Sequence, residues 1–136
     1  MLMETQKASC HELSNSRMEE IGMIRSTIRM HIPLKNQKEV LEILAPMAEQ
    51  IQFEPGCISC RLYRGVDDEG FIMIEELWMN EEDVQRHLRS DKYRKVLLVI
   101  EMALEAPEIR FDTIAHSSGV ETIEKARSQT EPVGRI

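Results

Sequence analysis

The segment GCISC places Cys57 and Cys60 three positions apart. This spacing occurs in thioredoxin-type redox motifs and in half of a zinc site. A redox pair needs both sulfurs within disulfide distance, and a zinc site needs further ligands. The sequence has no second cysteine pair of this spacing and no histidine pair nearby. The chemistry of these thiols therefore depends on whether their segment is a helix, a turn or a strand.

A second group of candidates could bind or deprotonate a small hydroxyl compound. His87 has an ordinary pKa near ~6.5, which suits a general base. Trp78 is the only tryptophan and could form an aromatic wall. Tyr63 and Tyr93 could hydrogen-bond such a substrate. Each also has a simpler explanation, since a surface histidine, a core or interface tryptophan and amphipathic tyrosines are common.

Glu75 and Glu76 are adjacent in a segment with strand character. Neighbouring side chains on a strand point to opposite faces, so these two carboxylates do not form an acid/base pair. We expect one of them to be partly buried and to pair across the sheet with Arg25, Arg29 or Arg61.

Composition excludes several classes of protein. The chain has 136 residues, which suits one domain, and 17 Lys plus Arg against 24 Asp plus Glu give a net charge of −7. Without a basic cluster, nucleic-acid binding is disfavoured. No apolar stretch reaches the ~18 to 20 residues of a membrane span, and the N-terminus lacks a signal-peptide core. Three cysteines without a disulfide framework favour the cytoplasm, where thiols stay reduced.

Periodicity divides the chain into a polar extension at 1–20, a folded domain at 21–116 and a short helix with a tail at 117–136. Alternating apolar residues predict strands, and apolar residues at three- and four-residue spacing predict helices. The predicted elements are strand 23–32, helix 36–52, strand 57–65, strand 71–79, helix 80–90, helix 92–105, strand 108–116 and helix 120–128.

Each of the four predicted helices has a candidate N-terminal cap. These are Asn36, Asn80, Ser90 or Asp91, and Ser118 with Glu121. The apolar face of helix 92–105 is expected to include Val96, Leu97, Val99, Ile100 and Ala103. Pro46 is expected to kink helix 36–52.

The element order β-α-β-β-α-β is typical of the ferredoxin-like fold, an antiparallel α+β sheet with helices on one face. Strand 71–79 carries apolar residues in both phases, so both faces of the sheet are expected to be partly buried. A second copy of the chain would cover the second face, which predicts a homodimer.

The strand assignment bears on the two cysteines. Residues three apart on a regular strand face opposite sides, with Cα atoms ~10 Å apart, beyond the ~7 Å that a disulfide bridges. We therefore expect Cys57 and Cys60 to be small hydrophobic side chains rather than a redox or chelating pair.

Three segments resemble the antibiotic biosynthesis monooxygenase domain family: FEPGCISCRLYRG, FIMIEELWMNEEDVQRHLRSDKYRKV and APEIRFDTI. The resemblance covers roughly residues 22–115. It implies a dimeric α+β barrel with a small cavity in each subunit. Members of this family oxidise quinols or polyketide anthrones with O₂ and no cofactor, others degrade haem, and one branch processes a phosphorylated sugar.

The resemblance transfers site residues only in part. The cavity Trp of the anthrone-oxidising members corresponds to Trp78, whereas their Asn and Tyr correspond to Ile74 and Val84. In the haem-degrading members a Trp corresponds to His87, and the iron-binding His corresponds to Leu97. Because leucine cannot ligate iron, haem degradation by that route is not expected.

The resemblance, taken with these residues, implies a cofactor-independent monooxygenase acting on a quinol-like or other small aromatic substrate. No haem, flavin or metal is expected. The predicted base is His87, and the predicted cavity residues are Trp78, Tyr63, Tyr93, Ile74 and Val84. Two alternatives remain: a non-oxidative enzyme, such as an isomerase of a small polar metabolite, and a ligand-binding dimer without turnover. An apolar cavity would favour oxidation of an aromatic compound, whereas clustered charges would favour the isomerase.

Overall fold

The structure, a computed structural model, describes residues 21–134 of the chain. The prediction for residues 1–20 lies outside the described residues. The chain divides into two compact units: Gly22–Thr113 forms one, and the other includes the segment from Ile114 onward. The candidate site residues all belong to the first unit.

The first unit contains four strands and three helices, and the described part of the second contains one helix. They are β1 (Ile24–His31), α1 (Leu34–Ile51), β2 (Cys57–Arg64), β3 (Phe71–Trp78), α2 (Glu81–Leu88), α3 (Tyr93–Glu101), β4 (Glu108–Thr113) and α4 (Val120–Gly134). Within residues 21–134, none of the helices combines the length and apolar character that crossing a bilayer requires.

The four strands form one antiparallel sheet in the order β2-β3-β1-β4. The central pair, β1 and β3, runs in register from Ile24 opposite Trp78 to His31 opposite Phe71. The first and third strands thus lie at the centre and the second and fourth at the edges. This is the predicted ferredoxin-like α+β fold, which the structure confirms.

The core lies on the helix-covered face of the sheet. On β3 every second residue is buried, which is the phase of Ile72, Ile74, Glu76 and Trp78. Apolar side chains of the helices join the same cluster: Val40, Leu44, Met47 and Ile51 on α1, and Val96 and Val99 on α3. Each such side chain contributes about 1.5 to 3 kcal/mol when it leaves water.

The first helix differs from its predicted start. Helix α1 begins at Leu34 with Pro33 as its N-cap, so the prediction of Asn36 as cap is wrong. The Asn36 backbone N–H instead donates to the Pro33 carbonyl at 2.8 Å, inside the first turn. Pro46 lies within the helix, which continues to Ile51.

Of the caps predicted for the next two helices, one is correct and the other is wrong. Asn80 caps α2, and its side chain accepts a hydrogen bond from the Asp83 backbone N–H at 3.0 Å, as predicted. Helix α3 has Lys92 at its N-cap position and no side-chain cap, so the predicted cap at Ser90 or Asp91 is wrong. Leu97 is 48% exposed and is not part of the buried face of α3.

The prediction that Cys57 and Cys60 face opposite sides of the sheet is wrong. A β-bulge shifts the register of β2, so that Cys57 pairs with Trp78 and Cys60 with Glu76. Because these two partners share one face of β3, both cysteines point to the core. A bulge inserts one extra residue and changes the phase of the strand beyond it. Neither thiol is part of a disulfide among residues 21–134.

Helix α4 begins where predicted and extends further, to Gly134. Glu121 Oε2 accepts from the Gly119 N–H at 3.0 Å. The Ser118 hydroxyl hydrogen-bonds that of Thr122. The predicted capping residues thus contact the first turn of this helix.

Candidate functional site

His87 lies near the C-terminal end of α2, on the face that packs against the sheet. Only 1% of its side chain is exposed. The structure therefore excludes the simpler explanation of His87 as a surface histidine, although its neighbours Arg86 and Arg89 are not buried.

Both ring nitrogens of His87 face carboxylates. Nδ1 lies 2.9 Å from Oε1 of Glu54, in the turn before β2, and Nε2 lies 3.4 Å from Oε2 of Glu76, on β3. The second contact is an ion-pair contact rather than a well-formed hydrogen bond. The Glu54 and Glu76 side chains are 14% and 4% exposed. We call these three residues the Glu-His-Glu cluster.

The pKa of His87 results from opposing effects. Burial lowers the pKa, because a low-dielectric environment disfavours the charged ring. The contact with Glu76 and its charge, followed by those of Glu54, act in the opposite direction. The pKa of His87 is therefore raised above its usual 6.5. The carboxylates thus stabilise the imidazolium form of a ring that is removed from water.

Two aromatic side chains enclose the imidazole of His87. The ring centroid of Trp78 lies 4.7 Å away, and that of Tyr93 lies 5.2 Å away in an edge-on arrangement. The indole N–H of Trp78 donates to Oε1 of Glu76 at 2.9 Å. Burial, assisted by the charge of Glu76, raises the pKa of Tyr93 to about 12. The phenol is therefore neutral around pH 7.

Regular secondary structure brings most of these side chains together. Glu76 and Trp78 are two residues apart on β3 and point to the same face. Val84 and His87 are three residues apart on α2, and both are buried against that face. Tyr93 is the first residue of α3.

The turn Glu54–Gly56 is held against α2. Gly56 has a φ of +83°, and a Cβ atom there would overlap the Asp83 carboxylate, so Asp83 would have to move to admit a side chain. Arg86 donates to the carbonyl of Pro55 at 3.0 Å. These contacts position the carboxylate at the start of the turn beside the imidazole.

The remaining predicted cavity residues divide into two groups. Ile74 and Val84 are each 3% exposed and belong to the apolar core. Tyr63 is 39% exposed, and its hydroxyl lies 3.4 Å from Oε1 of Glu75 on the opposite face of the sheet. Tyr63 therefore lies apart from the Glu-His-Glu cluster. On that face Glu75 also pairs with Arg25 at 3.9 Å, as expected for one of the two adjacent glutamates.

Sequence reasoning did not select Glu54 or Glu76 as site residues. A signal for Glu76 was present, because a glutamate in the buried phase of an apolar strand needs a partner. Glu54 carried no comparable signal, since acidic residues are common in turns.

The described part of the chain has surface depressions, of which two are clearly formed. One is lined by Glu81, Glu82, Gln85, Arg86 and Arg89, and the other by Arg29, Met30, His31, Phe71, Glu105 and Glu108, among others. Neither includes a member of the Glu-His-Glu cluster, which is enclosed by packed side chains. Among residues 21–134, no group of three or more His, Cys, Asp or Glu side chains has the arrangement of a metal site.

The fold and the cluster together describe a small α+β protein with ionisable groups buried between sheet and helices. The family model for antibiotic biosynthesis monooxygenases matches residues 23–97, and the chain belongs to this family. The family resemblance predicted from the sequence is thereby confirmed. No curated protein sequence gives a significant match.

Solved structures show the same fold. A conserved protein from Methanosarcina mazei Go1 has 21% identity and a TM-score of 0.65, covering 70% of this chain and 95% of that one. An antibiotic biosynthesis monooxygenase has 17% identity and a TM-score of 0.62, covering 67% and 97%. A variant of SnoaB, a cofactor-independent oxygenase from Streptomyces nogalater, has 14% identity and a TM-score of 0.61, covering 71% and 96%. At these identities the similarity establishes the fold.

Proposed function

We propose that this protein is a cofactor-independent monooxygenase that oxidises a quinol-like or related aromatic substrate with O₂. Its family membership and its similarity in fold to SnoaB support this class of reaction. The observation that carries the proposal is the burial of His87 between two carboxylates and beside Trp78. This arrangement combines an aromatic surface with groups that exchange protons.

The chemistry requires little beyond these side chains. Removing a hydroxyl proton converts a quinol into an electron-rich anion that can reduce O₂ directly. One oxygen atom enters the product and the other leaves as water, with all electrons supplied by the substrate. The protein contributes proton transfer, orientation and exclusion of bulk water.

Substrate entry requires a change in the packing around the cluster. Trp78, Glu76 and His87 are 0%, 3% and 1% exposed. A substrate that contacts them must therefore displace side chains of α2, α3 or the turn Glu54–Gly56 from the sheet.

We further propose that the protein works as a homodimer in the cytoplasm without haem, flavin or metal. Support for dimerisation comes from the sheet face away from the helices, where Met73 and Leu77 are only half-buried in a single chain. Support for a haem-free protein comes from Leu97, which occupies the position of the iron-binding histidine in the haem-degrading members. A haemin titration that gives a saturating one-to-one Soret shift would contradict this part of the proposal.

The clustered charges favour a second candidate, a non-oxidative enzyme such as an isomerase of a small polar metabolite. Such an enzyme moves a proton between atoms of its substrate and consumes no O₂. Glu54, His87 and Glu76 could perform that transfer.

The deciding experiment measures O₂ consumption with menadiol and dihydroxynaphthalenes, corrected for autoxidation. We expect His87→Gln to lower turnover by about 10² to 10⁴, because the ring belongs to the cluster that carries out the proposed proton transfer. His31→Gln is the matched control, since His31 is exposed and pairs with Asp68 away from the cluster. Equal activity of the His87 variant and wild type on every substrate would reject the site. Turnover without O₂ consumption would select the isomerase.

A further inference from the structure

The hydrogen-bond partners within the Glu-His-Glu cluster leave one oxygen able to accept a further proton. Oε1 of Glu76 accepts from the Trp78 indole at 2.9 Å, and its Oε2 faces Nε2 of His87 at 3.4 Å. Oε1 of Glu54 lies 2.9 Å from Nδ1 of His87. Oε2 of Glu54 is buried and has no hydrogen-bond partner among residues 21–134. A buried carboxylate oxygen without a donor is costly, so this atom favours a ligand that donates a hydrogen bond.

The protonation state of the ring follows from the same geometry. A neutral imidazole has a lone pair on one nitrogen, and in this site either nitrogen would direct that lone pair at a carboxylate. Only the doubly protonated ring presents an N–H to both Glu54 and Glu76. As an imidazolium, His87 has no lone pair with which to accept a substrate proton.

We infer that Glu54 is the proton acceptor of the site and that His87 positions it. The inference rests on the proposed function only in assigning the later reaction with O₂. In this step the O–H bond of the substrate breaks, an O–H bond forms at Oε2 of Glu54, and the substrate keeps the electron pair as an anion. Nδ1 of His87 hydrogen-bonds to the other oxygen of the same carboxylate, and Glu76 contacts Nε2 on the opposite side of the ring.

The cluster also defines the class of ligand. Two carboxylates and one imidazolium leave one negative charge in excess, so an anionic ligand would be repelled. The cluster therefore selects an uncharged compound with a weakly acidic hydroxyl, such as a phenol or an enol. Glu54 is the most exposed of the three side chains.

The first test measures the protonation of the His87 ring and does not depend on activity. Nitrogen-15 NMR should show both ring nitrogens of His87 protonated at neutral pH in wild type. In Glu54→Gln the titration of His87 should move to lower pH, because one of its two carboxylates becomes neutral. Glu49→Gln is the matched control, since Glu49 is exposed on α1. A neutral His87 in wild type would overturn the inference.

The second test measures binding of 1-naphthol under anaerobic conditions. Trp78 is the only tryptophan of the chain, so its fluorescence reports on this site. Glu54→Gln should bind 1-naphthol at least about tenfold more weakly than wild type and Glu49→Gln, and wild type should disfavour the anion 1-naphthoate. Equal binding by Glu54→Gln, a preference for naphthoate, or no binding of naphthol would each overturn the inference. If the predicted binding pattern is found without any O₂ consumption, the proposed monooxygenase activity would be rejected. Glu54 would remain the acceptor of the hydroxyl proton.

Discussion

Glu76 accepts a 2.9 Å hydrogen bond from the indole of Trp78, and both side chains are buried on the core face of β3. A buried carboxylate needs such donors because its charge has left water. The same carboxylate faces the ring of His87, so one side chain links the aromatic wall to the charged cluster.

Neutralising Glu76 should therefore destabilise the protein. Glu76→Gln keeps the size of the side chain but removes the charge that faces His87. We expect a loss of about 3 kcal/mol in the free energy of unfolding, as when one partner of a buried ion pair is removed. Glu49→Gln is the control, since Glu49 is exposed on α1 and its replacement should cost at most about 1 kcal/mol in the free energy of unfolding. Equal effects in urea unfolding would contradict the role given to Glu76.

The raised pKa of His87 predicts a pH dependence of stability. A group whose pKa is higher in the folded state stabilises it fully below its unfolded pKa, ~6.5 for histidine. That contribution is lost as pH rises through the higher folded-state value. The groups facing His87 are Glu54 from the turn, Glu76 from β3 and Tyr93 from α3. Urea unfolding at a series of pH values from about 6 to 9 measures the free energy of unfolding of wild type and His87→Gln. The excess stability of wild type should shrink as pH rises. A constant difference would contradict this linkage.

The two core-facing thiols should differ from a redox pair in reactivity. Burial, followed by the charge of Glu76, raises the pKa of Cys60, so little of the reactive thiolate forms. Iodoacetamide should leave Cys60 unmodified in the native protein and should modify it after unfolding, as read by peptide mass spectrometry. We also expect no Cys57–Cys60 disulfide. A peptide lighter by two hydrogens before reduction would show that the pair oxidises.

Two glycines with positive φ provide a matched test of the turn that carries Glu54. Gly22 has a φ of +89° and open space where a Cβ atom would lie, whereas Gly56 has a φ of +83° and Asp83 at 1.9 Å from that position. Gly22→Ala should lower the free energy of unfolding by about 1 to 2 kcal/mol, from backbone strain alone. Gly56→Ala should cost about 1 to 3 kcal/mol more, because Asp83 must move. Thermal or urea unfolding measures both, and equal losses would show that the contact with α2 is unimportant.

The proposed dimer predicts a mass of twice the 15.8 kDa chain at micromolar concentration. Leu77 is half-buried on the sheet face away from the helices, so Leu77→Glu should introduce a charge into the interface and shift the equilibrium to monomer. Light scattering of wild type and this variant measures the change. A wild-type protein that remains a monomer throughout this range would reject the dimer.

Local periodicity was sufficient to predict much of the fold. The alternation in β1 and β3 depends on neighbouring residues only. The burial pattern of β3 follows it throughout, and that of β1 follows it except at Thr27, which is also buried. The cap at Asn80 was predictable for the same reason, since its partner is three residues away. Glu76 could have been recognised as unusual from its position in the buried phase of β3.

Other features were decided by contacts between distant parts of the chain. Cys57 and Cys60 point to the same face because a bulge in β2 changes the phase, and alternation alone does not reveal a bulge. Glu54 and His87 are separated by 33 residues, yet their side chains meet at 2.9 Å. That contact requires the turn before β2 to pack on α2, which depends on Gly56 and Arg86. Sequence by itself therefore determined the elements and the fold family, whereas tertiary packing decided which ionisable groups share one buried site.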